Sequence, residues 1–207
     1  MKFGENNTWI NINSDLISEY SSIYDTYDID DEMIEYALDK NERAHMEYNR
    51  RTKTLVVIYN VLNLSREESH YDTIPLTFIV RQNQIVTISN GLNEYIIDQI
   101  REELEENLHW SVFNFLLHSL FAISENYFPV IEKLNKEQQK ISQLLRKKTT
   151  KDNLFRLSDL EIEGMYLVSA TKQNAVVLEQ LKTQQAFKAL DDSEREQLED
   201  NIIEANQ

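Results

Sequence analysis

Ile74-Pro75-Leu76-Thr77-Phe78-Ile79-Val80-Arg81-Gln82-Asn83-Gln84-Ile85-Val86-Thr87-Ile88-Ser89 is the stretch that decides the fold. Its two halves, Ile74 to Val80 and Ile85 to Ser89, are rich in β-branched and aromatic residues, the composition of strands. The link Arg81-Gln82-Asn83-Gln84 is short and polar. Parallel strands need a crossover of a dozen residues or more, so this link predicts an antiparallel hairpin. Pro75 has no N–H to give to a ladder and is expected near a strand start.

Working toward the N-terminus, Thr54 to Val61 and Met46 to Asn49 have the same strand composition. Trp9-Ile10-Asn11-Ile12-Asn13 alternates apolar and polar residues with a period of two, which predicts an edge or outer strand. Between these lies Ile29 to Asn41, with Met33, Ile34, Ala37 and Leu38 at helical spacing and Asp28, Asp30 and Asp31 near its start, where carboxylates favour the helix dipole. Toward the C-terminus, Leu92 to Leu108 is amphipathic, with Tyr95, Ile96, Ile100 and Leu104 on one face.

After Leu108 only helical patterns follow. The sequence predicts one helix from about Trp110 to Arg146, a break at Lys147-Lys148-Thr149-Thr150-Lys151, and a second from about Asp152 to Leu190. Ile131, Leu134, Gln138, Ile141 and Leu145 follow a 3-4-3-4 spacing. Leu154, Leu157, Val168, Thr171, Ala175, Leu178 and Leu181 run at compatible spacing, which predicts an antiparallel hairpin. Asp192-Ser193-Glu194-Arg195 offers an N-cap for a third helix carrying Leu198, Ile202 and Ala205. The expected class is therefore α+β: a small mixed or antiparallel sheet covered by helices (residues 1–108), a long antiparallel helical hairpin (109–190), and the start of a further helix (191–207).

Composition narrows the function classes. The 207 residues include three glycines, two prolines and no cysteine, which suits a helix-rich globular chain and leaves no thiolate zinc site, disulfide scaffold or thiol catalysis. Acidic residues outnumber basic ones 36 to 21, a formal charge of −15, which would repel a phosphate backbone and argues against nucleic-acid binding. Met1 to Asp15 holds no apolar run of a secretory signal. The most lipid-like stretch, Val112 to Ile123, is broken by Asn114, His118 and Ser119 and falls short of the roughly 20 apolar residues of a spanning helix.

Catalytic patterns are scarce. Ser69-His70 near Asp72 is the one local cluster of a nucleophile-and-base kind, but neighbours in a strand point to opposite faces and no G-x-S-x-G elbow surrounds it. Glycines at 4, 91 and 164 cannot build a phosphate loop. His109 and His118, nine residues apart on one predicted helix, fall on opposite faces and cannot clasp one ion; His118 in Phe115-Leu116-Leu117-His118 is expected to be packed. The pairs Glu102-Glu103 and Glu105-Glu106 lie on a charged helix face and are expected to be solvated. The reading is of a protein that is not an enzyme.

The passage Ala37-Leu38-Asp39-Lys40-Asn41-Glu42-Arg43-Ala44-His45-Met46-Glu47-Tyr48, followed by strand Leu55 to Val61, resembles the helix-to-strand passage of the CorA family of divalent-cation transporters. Ile74 to Val80 before Ile85 to Ser89, and Phe115-Leu116-Leu117-His118-Ser119-Leu120 before Asn126-Tyr127-Phe128-Pro129-Val130-Ile131-Glu132, agree with that family in the same order. The resemblance implies the cytoplasmic sensor and gating domain of a magnesium transporter in the cell membrane, with a homopentameric complete protein. It implies Mg2+ as transported or regulatory ion, with Co2+, Ni2+ or Zn2+ as alternatives. The family's Gly-Met-Asn signature and two membrane helices are expected beyond residue 207, where the helix begun at Leu198 would continue as the stalk; Gly164-Met165 precedes Tyr166 and is not that signature. A chain without those helices is expected as monomer or weak dimer. Other readings are a zinc or other divalent-cation transporter of the same family, and a soluble coiled-coil adaptor.

Regulatory metal sites between neighbouring subunits are part of what the resemblance implies. Asp200, in Leu198-Glu199-Asp200-Asn201-Ile202, stands where relatives carry a regulatory aspartate at the base of the stalk. Its partner would follow the second sheet strand, where this chain has no matching aspartate; Glu67, Glu68 and Asp72 are the nearby oxygen donors, the donor type that magnesium prefers.

Overall fold

The computed structural model describes residues 1–18, 20–67, 70–183 and 190–206. Strands β1 (Lys2–Phe3), β2 (Asn7–Asn13), β3 (His45–Asn49), β4 (Thr54–Glu67), β5 (His70–Arg81) and β6 (Gln84–Ser89) form one sheet in the order β1-β2-β6-β5-β4-β3. The β5–β6 hairpin closes on Arg81↔Gln84, as its short link predicts. β3, β4, β5 and β6 are antiparallel neighbours, and β2 adds to β6 in parallel from Thr8↔Gln84 to Asn13↔Ser89. The sheet is therefore mixed, with β2 one place in from the two-residue edge strand β1.

Both faces of the sheet are covered, which explains the unbroken apolar run of β4. Val57, Tyr59 and Val61 of β4, Leu76 and Phe78 of β5 and Trp9 of β2 face the larger core. That core is closed by helices α3 (Glu94–Glu106), α4 (Val112–Glu125), α5 (Phe128–Lys147) and α6 (Lys151–Thr183). Ile12, Ile79, Val86 and Ile88 face the other way, against Tyr24 of α1 (Ser22–Thr26) and Met33, Ile34 and Ala37 of α2 (Asp31–Leu38). Asp30 caps α2 by accepting from Met33 N–H at 3.0 Å, and Asp31 lies in its first turn. Asp28 serves α1 instead. With φ 51° it ends that helix in a left-handed turn, and the Arg81 guanidinium donates at 2.8 Å to the carbonyls of both Tyr27 and Asp28.

Several elements depart from the sequence reading; β4 runs six residues past the expected Val61 and β5 starts four residues before Ile74. The single helix expected from Trp110 to Arg146 is two, α4 and α5, separated at Asn126 and Tyr127. Pro129 falls in the first turn of α5, where its missing N–H costs nothing, whereas further into a continuous helix it would clash with the preceding turn. Asn126 closes the break by donating to the Ala122 carbonyl at 2.7 Å. His109 consequently lies before α4 rather than on it. Pro75 sits within β5 rather than near its start, opposite Asn60, whose own backbone groups turn away from β5. The cap of α7 (Asp192–Ala205) is Asp191: its carboxylate accepts from Glu194 N–H at 2.9 Å, and Glu194 accepts in return from Asp191 N–H at 3.0 Å.

Candidate functional site

A belt of buried polar contacts joins the helices to the free edge of β4. β3 pairs with β4 only between His45↔Ile58 and Asn49↔Thr54, so from Asn60 onward that edge needs other partners. The Asn174 side chain of α6 supplies both: its Oδ1 accepts from Asn60 N–H at 2.8 Å and its Nδ2 donates to Asn60 C=O at 2.9 Å. The Tyr127 hydroxyl donates to the same carbonyl at 2.9 Å, and the Tyr95 hydroxyl of α3 donates to Leu62 C=O at 2.8 Å. Two further contacts of α6 lie off that edge: Gln173 accepts from Ala44 N–H, just ahead of β3, at 3.3 Å, and Glu163, three turns earlier, accepts from Tyr71 N–H of β5 at 2.7 Å. A helix normally meets a sheet through side chains on the sheet's face; here α6 also takes the place of a strand at its edge.

Burial raises the Tyr59, Tyr95 and Tyr127 hydroxyls above the ordinary phenol value, and the neighbouring tyrosines and Asp72 add to the rise at Tyr127. These phenols therefore stay neutral donors throughout the physiological range. Beside the belt, a cleft of ≈ 310 Å³ opens between α5, α6 and the end of α7, lined by Tyr127, Phe128, Val168, Lys172, Glu204 and Ala205 among others. α7 reaches this place by lying along α4 and α6: Leu198 is buried, and Asn201 donates to the Leu117 carbonyl of α4 at 2.8 Å.

Among the described residues, the carboxylates singled out in the sequence lie on three separate elements. Asp72 is exposed on β5 opposite Asn63 and accepts from Thr73 N–H at 2.7 Å. Asp200 is exposed on α7, between Glu199, which is paired with Lys182 at 3.3 Å, and buried Asn201. Glu67 ends β4; its side chain and that of His70, with the whole of Glu68 and Ser69, lie outside the described residues. Among the described residues no three histidines or carboxylates are placed to hold one ion within a single chain. His118 stacks flat on Trp110, ring centroids 4.1 Å apart at 6°, and burial lowers its pKa, which favours the neutral imidazole.

The edge belt escapes a search for chemistry-bearing motifs because its members are isolated amides and phenols. Asn174 and Glu163 do carry one signal, polar residues at positions in phase with buried Leu167, Ala170 and Leu178.

The sequence matches the family described as CorA-like Mg2+ transporter protein over residues 4–207. The chain belongs to the CorA family. The complete CorA magnesium transporter of Methanocaldococcus jannaschii superposes with a TM-score of 0.82 at 18% identity, over 100% of this chain and 65% of that one. The soluble domain of CorA from the same organism gives 0.79 at 20% identity, over 96% of this chain and 79% of that one. The ZntB cytoplasmic domain of Vibrio parahaemolyticus gives 0.71 at 10% identity, over 98% and 84%. A comparison with curated protein sequences finds no match. The chain thus spans about two thirds of the complete M. jannaschii transporter, with the CorA fold over its whole length. Among the described residues no helix is long and apolar enough to cross a membrane.

Proposed function

We propose that this chain is the cytoplasmic sensor and gate lever of a CorA-type magnesium transporter that works as a homopentamer in the cell membrane. The family match over residues 4–207 carries the reading. In this mechanism Mg2+ bridges Asp200 of one subunit to Asp72, Glu67 or Glu68 of the next and holds the closed arrangement; loss of the ion frees the subunits to move. Asp72 and Asp200 are both exposed, so each is open to a neighbouring subunit. The edge belt would transmit the motion, because it ties α6 to the sheet that carries Asp72 while α6 also packs against α7.

Zinc is the alternative ion within the same family. A chain without cysteine offers oxygen and imidazole donors only, which suits magnesium better. Sedimentation velocity of the purified chain in millimolar MgCl2, against NaCl of matched ionic strength, tests the site. Larger species are expected with magnesium, and less of this response in Asp200→Asn and Asp72→Asn. Equal responses to the two salts remove the bridging site, and a stronger response to micromolar Zn2+ reassigns the ion.

A further inference from the structure

We infer that the tip of the α5–α6 hairpin, residues 140–156, docks on the anionic headgroups of a lipid bilayer. In a chain of formal charge −15 this segment holds Lys140, Arg146, Lys147, Lys148, Lys151 and Arg156 against the single acid Asp152. The tip thus carries a surplus of five positive charges, leaving −20 on the rest. All six basic side chains are exposed, and none is in a salt bridge among the described residues.

Distance keeps the acidic body from cancelling this charge. The last buried residue of α5 is Ile141, and the first of α6 is Glu163, where that helix meets β5. Between Glu163 and Lys151, α6 rises by about 18 Å. That is about twice the Debye length of about 8 Å at physiological ionic strength. Acids return on the stem at Glu137, Asp159 and Glu161, so the cations that stand clear are Arg146, Lys147, Lys148 and Lys151, about 12 Å or more along the helices from those three acids, and a surface touching the end of the tip meets mainly these.

Exposed apolar groups among the cations select the kind of surface. Leu144, Leu154 and Phe155 are 39%, 49% and 58% exposed, and the Lys151 ammonium lies 5.3 Å from the Phe155 ring centre. Basic residues interleaved with leucine and phenylalanine suit the boundary between headgroups and acyl chains, whereas a purely ionic partner gives the apolar groups nothing to bury. The family assignment places a bilayer in the same assembly, and the inference is independent of which ion is carried.

Vesicle co-sedimentation tests it, using the whole chain with vesicles of about 30% phosphatidylglycerol in phosphatidylcholine and vesicles of phosphatidylcholine alone. Binding is expected to the anionic vesicles only and to vanish in about 0.5 M NaCl. At about fivefold per basic residue, Lys147→Gln/Lys148→Gln/Lys151→Gln should weaken partitioning on the order of 100-fold. Arg50→Gln/Arg51→Gln/Lys53→Gln, exposed substitutions of equal charge on the β3–β4 loop, should leave it unchanged. Equal losses in the two triple variants, or equal binding to neutral vesicles, overturn the inference. So does absence of vesicle binding together with self-association that the tip variant abolishes, which would make an acidic face of a second copy the partner.

Discussion

Asn174 takes the place of a strand with one side chain, and its energetics follow from what each substitution leaves unpaired. Asn174→Ala strips the partner from the buried Asn60 N–H but leaves Asn60 C=O with Tyr127, so a loss of about 1 to 3 kcal/mol is expected in urea denaturation. Tyr127→Phe leaves Asn174 on both groups and should cost about 0.5 to 1.5 kcal/mol. Asn174→Asp sets a buried carboxylate against the Asn60 carbonyl and should be the worst of the three; an order in which it is the mildest would discard this account of the β4 edge. His118 gives a pH prediction. Its folded pKa lies below the ordinary 6.5, so as pH falls the unfolded chain takes the proton first. The stability linked to the neutral ring is present above pH 6.5 and is lost as pH drops through the folded pKa. His118→Gln should therefore flatten the fall in Tm between about pH 7.5 and 5.5, as read by circular dichroism, and an unchanged slope would assign it to other groups. The packed character of His118 is legible in its apolar surroundings, whereas the ring it stacks on is not, because Trp110 stands in a loop whose path only the fold determines.

The strand centres and the hairpin turn are legible directly, because β-branched composition and a short polar link report local geometry, whereas the polar ends of β4 and β5, to Glu67 and from His70, are not. Helix phase is harder to read. Of the seam positions on α5, Leu134 and Ile141 are buried, but Val130 takes the place expected of Ile131. On α6, Leu167 is buried and Val168 is 49% exposed. The buried stripe of α6 includes Glu163 and Asn174, so a search for apolar spacing alone misplaces its phase. The break at Asn126 is signalled by Pro129, but that signal is weak against a long helical composition. Two predictions belong to these helices. Ile141 is 2% exposed, so Ile141→Asp should cost about 2 to 5 kcal/mol by denaturant unfolding, and an unchanged midpoint would remove it from the seam. Gly164 lies inside α6 with nothing within 4 Å of an added Cβ, so Gly164→Ala should stabilise by about 0.5 to 1 kcal/mol, seen as a raised Tm. A lowered Tm would show that an added methyl at Gly164 meets a neighbour in solution.

The whole molecule is electrically polar, with its negative charge on the body and a positive surplus at the hairpin tip, and this arrangement fixes the sign of a salt effect. The family and fold were legible because many moderate signals occur in one order along the chain. The candidate metal residues were named only through the family resemblance, since Asp72 and Asp200 lie far apart in the sequence and on separate elements, and spacing along the chain cannot pair them. Two forces act between copies without magnesium. Like-charge repulsion between bodies of formal charge −15 per chain opposes association and weakens as salt screens it. Attraction of one copy's tip to another's body favours association and weakens in the same way. If the tip is reserved for lipid, repulsion dominates: the chain should sediment as monomer or weak dimer in chelator at about 10 mM NaCl, and association should rise as NaCl is raised to about 300 mM. If tip and body pair, association is strongest at low salt and falls. Sedimentation velocity across that series, at fixed protein concentration, reads the sign directly. A pentamer persisting in chelator at the low-salt end would show that contacts within this chain outweigh the repulsion without any bridging ion.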